Sequence, residues 1–102
     1  MKGIIEYSDN DHLCFGFNGY EDWEYFLPIV KIIEAQIKPE YLHNLGGITS
    51  MTCKCIKNGV PFIIEYDSWT GNSLVFEGEK TETIRKFLKD LADEIFSYLK
   101  VM

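Results

Sequence analysis

At 102 residues the chain has room for one domain and not for two. Its apolar content of 46%, with 15% aromatic, is ample for a core and excludes a disordered chain. Sixteen acids against ten Lys and Arg give a formal charge of -6, which repels phosphate backbones and anionic membrane surfaces and attracts basic partners.

The opening Met1-Lys2-Gly3-Ile4-Ile5-Glu6 has no charged region followed by a long apolar run, so no secretory signal is expected. No stretch approaches the roughly 18 apolar residues of a membrane helix. Three cysteines with no export signal fit a reducing compartment, and the cytoplasm is the expected location.

Lys2–Tyr7 reads as a first strand and His12–Phe17 as a second, with Leu13, Phe15 and Phe17 at period two. The polar turn Ser8-Asp9-Asn10-Asp11 joins them into a hairpin. Asn18 then has the character of a helix N-cap, with Glu21 three residues on to complete a capping box. Trp23, Phe26, Leu27, Val30, Ile33 and Ile37 follow at mostly helical spacing as one apolar face. Pro28 either kinks this helix or splits it, with Pro28 in the first turn of the second piece. Pro39 ends the segment, and Tyr41–Gly47 is expected to be a loop or short helical turn, with Gly46-Gly47 letting the chain turn into the next strand.

Ile48–Lys57 and Val60–Asp67 flank Asn58-Gly59, the strongest short hairpin signal a sequence offers. Thr70-Gly71-Asn72 makes another turn and Ser73–Glu77 a last strand. A final helix from Thr81 or Thr83 almost to the end buries Ile84, Phe87, Leu88, Leu91, Ile95 and Leu99. Its far side pairs Lys86 with Asp90 and Lys89 with Asp93. The expected fold is a single α+β domain over residues 1–102, with a largely antiparallel five-stranded sheet and helices on one face. The element order is strand, strand, helix, three strands, helix.

No motif carries chemistry. Cys53 and Cys55 share a strand face, and with Cys14, His12 or His43 they could complete a metal site, but paired ligands at structural-zinc spacing are absent. Core packing is expected for the cysteines, with no metal and no cofactor. Gly46-Gly47 lacks the spacing of a phosphate-cradling loop, and nothing positions a histidine to activate a thiol. Glu65 and Asp67 share a strand face and could act as an acid/base pair, though solvent-facing positions are the simpler reading. Stacking of bases on the sheet aromatics would need a basic groove, and only Lys2, Lys54 and Lys57 lie near the strands.

Two segments suggest recognition instead. Tyr20-Glu21-Asp22-Trp23-Glu24-Tyr25 interleaves acids and aromatics at a helix start, although the helix dipole and core account for most of it. In Tyr66-Asp67-Ser68-Trp69-Thr70 the tryptophan falls in or beside a turn, either as an interface anchor or as a lid over the sheet edge.

In size, acidic balance and strand-plus-helix makeup the chain resembles the small immunity proteins of bacterial contact-dependent inhibition and related polymorphic-toxin systems. That resemblance implies a non-catalytic module that binds a toxin, often a nuclease, by covering a basic surface. The contacts it implies are Asp9, Asp11, Glu21, Asp22, Glu24, Asp67 and Glu77, and Trp69 joins them as the candidate anchor. A second reading is a small enzyme or ligand-binding domain with a pocket between sheet and helices, using His12 or His43 with Glu65 or Asp67. A third is a structural subunit in which Trp69 or an edge strand supports a homodimer.

Overall fold

Two tight turns set the registers from which the sheet grows. In the computed structural model, which describes residues 3–45 and 51–102, β1 (Gly3–Asp9) and β2 (His12–Asn18) meet across Asn10-Asp11. Both turn residues have positive φ, 51° and 65°, the backbone a two-residue hairpin demands and Asn and Asp tolerate. Asn58-Gly59 does the same, at 53° and 77°, between β4 (Met51–Lys57) and β5 (Val60–Asp67). β6 (Gly71–Phe76) returns from β5 and inserts beside β2.

The α+β architecture stands, with one strand more than the sequence suggests. Tyr41–Leu45, read as a loop or helical turn, is a strand, β3, paired antiparallel with β4. The sheet therefore has six strands, in the order β1-β2-β6-β5-β4-β3, every neighbouring pair antiparallel. β1 runs on to Asp9 and β6 begins at Gly71, each somewhat beyond its expected bounds. Lys2, the turn at Gly46-Gly47 and the expected strand start at Ile48 lie outside the described residues.

The first helical segment departs from its predicted cap. Asn18 is the last residue of β2, opposite Gly3, and is not an N-cap. Glu21 bends back to the connection instead, its Oε2 accepting the Gly19 N–H at 2.9 Å. A 3-10 turn (Trp23–Tyr25) precedes α1 (Phe26–Ile32), and a π-helical turn (Ile33–Ile37) closes the segment. Pro28 thus sits in the first turn of α1, where its missing N–H has no intrahelical partner to lose. The 3-10 turn advances three residues per turn, so Trp23 falls out of phase with the α stripe. Expected in the core, Trp23 is 62% exposed, and Leu27 too faces solvent. Phe26, Ile29, Val30, Ile32, Ile33 and Ile37 are the residues that turn inward.

α2 (Glu82–Leu99) starts where expected, with Thr81 Oγ1 accepting the Ile84 N–H at 3.2 Å. Leu88, Leu91, Ala92, Ile95, Phe96 and Leu99 are buried against the sheet and α1, and Ile84 and Phe87 pack at the margin. On the far side Lys86 reaches Asp90 at 2.8 Å and Lys89 reaches Asp93 at 3.0 Å. Arg85 bridges to Glu6 of β1 at 2.7 Å, tying the helix to that edge of the sheet.

Both helices pack on one face. Leu13, Phe15, Phe17, Cys53, Cys55, Phe62, Ile64, Leu74 and Phe76 point to them and form the core. Cys53 and Cys55 therefore pack as expected, with their sulfurs 3.9 Å apart. Contact with Cys53 and burial push the Cys55 thiol far up, away from thiolate chemistry. Among the described residues no helix is long and apolar enough to cross a membrane.

Candidate docking face on the open side of the sheet

Strand alternation that fills the core with one set of side chains leaves the other set uncovered. Tyr7 and Asp9 of β1, Cys14 of β2, Ser73 and Val75 of β6, and Glu65 and Asp67 of β5 all lie on the face away from the helices. The face is dished rather than flat. Cys14, Ser73 and Val75 are buried there, at 2%, 2% and 7% exposure, without any layer above them.

Three hollows lie side by side on it. The first, about 260 Å³, is mainly apolar and touches Tyr41, Ile56, Ile63 and Val75. The second, about 230 Å³, runs over Ile5, Tyr7 and Gly16 to Glu21 and Thr70. The third, about 220 Å³, is polar and gathers Asp9, Glu65, Asp67 and Glu77 around His12. On its floor the Tyr7 hydroxyl and Ser73 Oγ share a hydrogen bond of 2.6 Å, and the Cys14 thiol leans on the His12 carbonyl at 3.6 Å.

Electrostatics make this third hollow hostile to further negative charge. Burial, then Asp67, Asp9 and Glu77, push the Glu65 carboxyl up, and His12 only partly offsets them. Burial and the Asp9 carboxylate push the Cys14 thiol up too, and burial raises the Tyr7 phenol. The thiol is thus held protonated rather than poised as a nucleophile. His12 Nδ1 stands 3.8 Å from Glu77 Oε2, an ion-pair separation but too long for a hydrogen bond. What the hollow favours is an incoming cation, whose charge would relieve the mutual repulsion of its carboxylates.

A raised carboxyl is also a stability statement. Folding increases the proton affinity of Glu65, so its contribution is full below the unfolded carboxyl range, near about pH 4.3, and is lost as pH rises through the folded value. Glu65→Gln is expected to stabilise the fold at neutral pH, by on the order of 0.5 kcal/mol at a half-exposed site. Thermal melts should show the gain at about pH 7 and none at about pH 4. A lower Tm for the variant at neutral pH would contradict this account.

The structure sorts the sequence-derived candidates into groups. Asp9, Asp67 and Glu77 converge in the polar hollow. Glu65, for which the sequence offers an acid/base pairing with Asp67 or, more simply, a solvent-facing position, is half-buried among them. Glu21 lines the neighbouring hollow, held close by Gly71, whose φ of 80° and lack of a Cβ let the Glu21 backbone approach. Asp11 sits in the hairpin turn, Asp22 precedes the 3-10 turn and Glu24 lies within it, all exposed. Trp69 stands clear of the sheet at 93% exposure, not folded over an edge as a lid. Its N–H donates to Asp67 Oδ1 at 2.7 Å, which fixes the turn that carries it. His43 lies on the edge strand β3, not in a loop, and does not join His12.

Sequence reasoning overlooked Tyr7, Cys14, Ser73 and Val75 as the floor. A serine in the middle of a fully buried strand, next to an asparagine, was the one signal of it. Among the described residues, no three His, Cys, Asp or Glu side chains converge as metal ligands do. No protein-family model, curated protein or solved structure matches the chain. The site must therefore be judged by its own chemistry.

Proposed function

We propose that the chain is a non-catalytic protein-binding module of the immunity type, acting in the cytoplasm. It lays the open face of its sheet over a basic surface of a toxin and blocks it. The observation that carries this reading is the convergence of Asp9, Glu65, Asp67 and Glu77, from two strands and the segment after β6, on an otherwise uncovered face. Apolar hollows adjoin the acids, and an exposed tryptophan rides on the turn beside Asp67. Interfaces of stable complexes combine these parts: an aromatic anchor, a desolvated patch and complementary charge that speeds association.

The experiment is co-expression of the tagged protein with the product of the gene immediately upstream. A one-to-one complex that weakens with salt, together with restored growth against an otherwise toxic partner, is expected. Absence of both complex and protection would overturn the proposal. It would leave the alternative of a small cationic ligand in the hollow around His12, since the space between sheet and helices is packed with Phe15, Ile29, Ile33, Ile64, Leu74 and Leu88.

Trp69 separates binding from folding. With nearly all its surface in water, Trp69→Ala is expected to change stability by less than about 0.5 kcal/mol. Affinity for the captured partner is expected to fall about 30-fold, the loss of an interface anchor worth about 2 kcal/mol. Calorimetric titration beside a thermal melt reads both. An unchanged affinity would place the interface away from this turn.

A further inference from the structure

The two edges of the sheet are unlike. β1 carries Glu6 and Asp9, and Arg85 of α2 reaches over to Glu6, so this edge is charged and braced. β3, Tyr-Leu-His-Asn-Leu, has no charged residue and no proline, in a chain where 25% of residues are charged. Edges are normally blunted by charge, proline or cover, because their unpaired backbone groups template another strand. Among the described residues β3 pairs only with β4, so its outer row of amides and carbonyls is available.

The side chains on this strand are arranged symmetrically. Tyr41 and Leu45 are both large, apolar and about half exposed, and each lies two residues from the central His43 on the same sheet face. The Tyr41 and His43 rings lie nearly parallel, 9° between planes with centroids 6.4 Å apart. From this we infer that β3 is a self-complementary edge whose partner is a second copy of the chain. A two-fold axis through His43 pairs β3 antiparallel with its copy, placing Tyr41 of each protomer opposite Leu45 of the other. Such an aromatic–aliphatic cross-strand pair is favourable, and the contact is isologous, so it closes at two chains instead of growing a fibre. The open faces of both protomers then form one continuous surface. His43 meets its own copy on the axis. Across the ladder His43 faces Lys54 of β4, and Lys38, Glu40 and Lys57 lie at the strand's start, a mixed set that does not bar approach.

This inference does not depend on the docking proposal, and its test needs no partner. Sedimentation equilibrium of the full chain is expected to show a monomer–dimer equilibrium with a dissociation constant in the range of about 10–100 µM, as suits one short strand pair. His43→Lys and His43→Glu each place like charges face to face on the axis, and each alone is expected to be monomeric at the same concentrations, with an unchanged circular dichroism spectrum. Mixed in equal amounts they are expected to recover the dimer, because the two-fold then sets Lys against Glu. A wild-type monomer at several times the highest of those concentrations, a dimer that survives both substitutions, or a mixture that fails to associate would each overturn it.

Discussion

Asn72→Asp is expected to cost about 4 kcal/mol, the largest stability loss among the substitutions considered. Asn72 is 1% exposed on β6, and its Nδ2 donates to two backbone carbonyls, Tyr20 O and Asp22 O, each at 2.9 Å. The side chain thereby clasps the connection between β2 and α1 to β6. Aspartate has the same shape but only acceptors, so the substitution sets a buried carboxylate against two carbonyl oxygens. Its folded proton affinity would rise far above the unfolded value, so stability should be recovered as pH falls to about 4 and lost again as it rises. Denaturant unfolding across that range reads the effect directly. A variant as stable as wild type at neutral pH would mean that the clasp is not what secures the Tyr20–Asp22 segment. Asn72 also bears on the proposed docking face, because the segment it holds carries Glu21 toward the hollow beside Tyr7.

How much of this was legible in the sequence depended on how local the cause was. Asn58-Gly59 announces its hairpin because two adjacent residues alone supply both positive φ angles. The α2 stripe and the cap at Thr81 are local in the same way. β3 was hidden for a physical reason. Its two sides, Tyr41-His43-Leu45 and Leu42-Asn44, are both part apolar and part polar, it lacks β-branched residues, and Pro39 and Gly46 bracket it like a loop. It is a strand because β4 offers a free edge, which no window on the sequence contains. Trp23 was misplaced because a single 3-10 turn shifts the helical phase by most of a residue's angle. The acidic hollow is the extreme case. Asp9, Glu65 and Glu77 meet only through the registers of β1 with β2, β2 with β6 and β6 with β5. Charge counting could nominate Asp9, Asp67 and Glu77 without bringing them together, and it set Glu65 aside.

If those carboxylates recognise a basic partner, reversing two of them should damage binding far more than folding. Glu65→Lys combined with Glu77→Lys leaves Asp67 to hold the Trp69 turn and removes half of the four acids of the hollow. Stability should stay near wild type, because repulsion among Asp9, Glu65, Asp67 and Glu77 is replaced by attraction. Affinity for the captured toxin should fall at least about 100-fold, equivalent to about 2.7 kcal/mol. Most of that loss belongs in the association rate, with a flatter dependence on salt, since long-range attraction steers encounter more than it slows departure. Net charge alone is the competing explanation. The control makes the same change of charge on the far side of α2, as Asp90→Lys with Glu94→Lys, where both positions are exposed and the Lys86 pair of Asp90 is worth little. Stopped-flow association of wild type and both variants, at low and high salt, separates the cases. A loss confined to the sheet variant localises the interface to the open face. Equal losses in both variants would mean that the partner senses only the protein's overall charge, and the hollow would then have no special part in recognition.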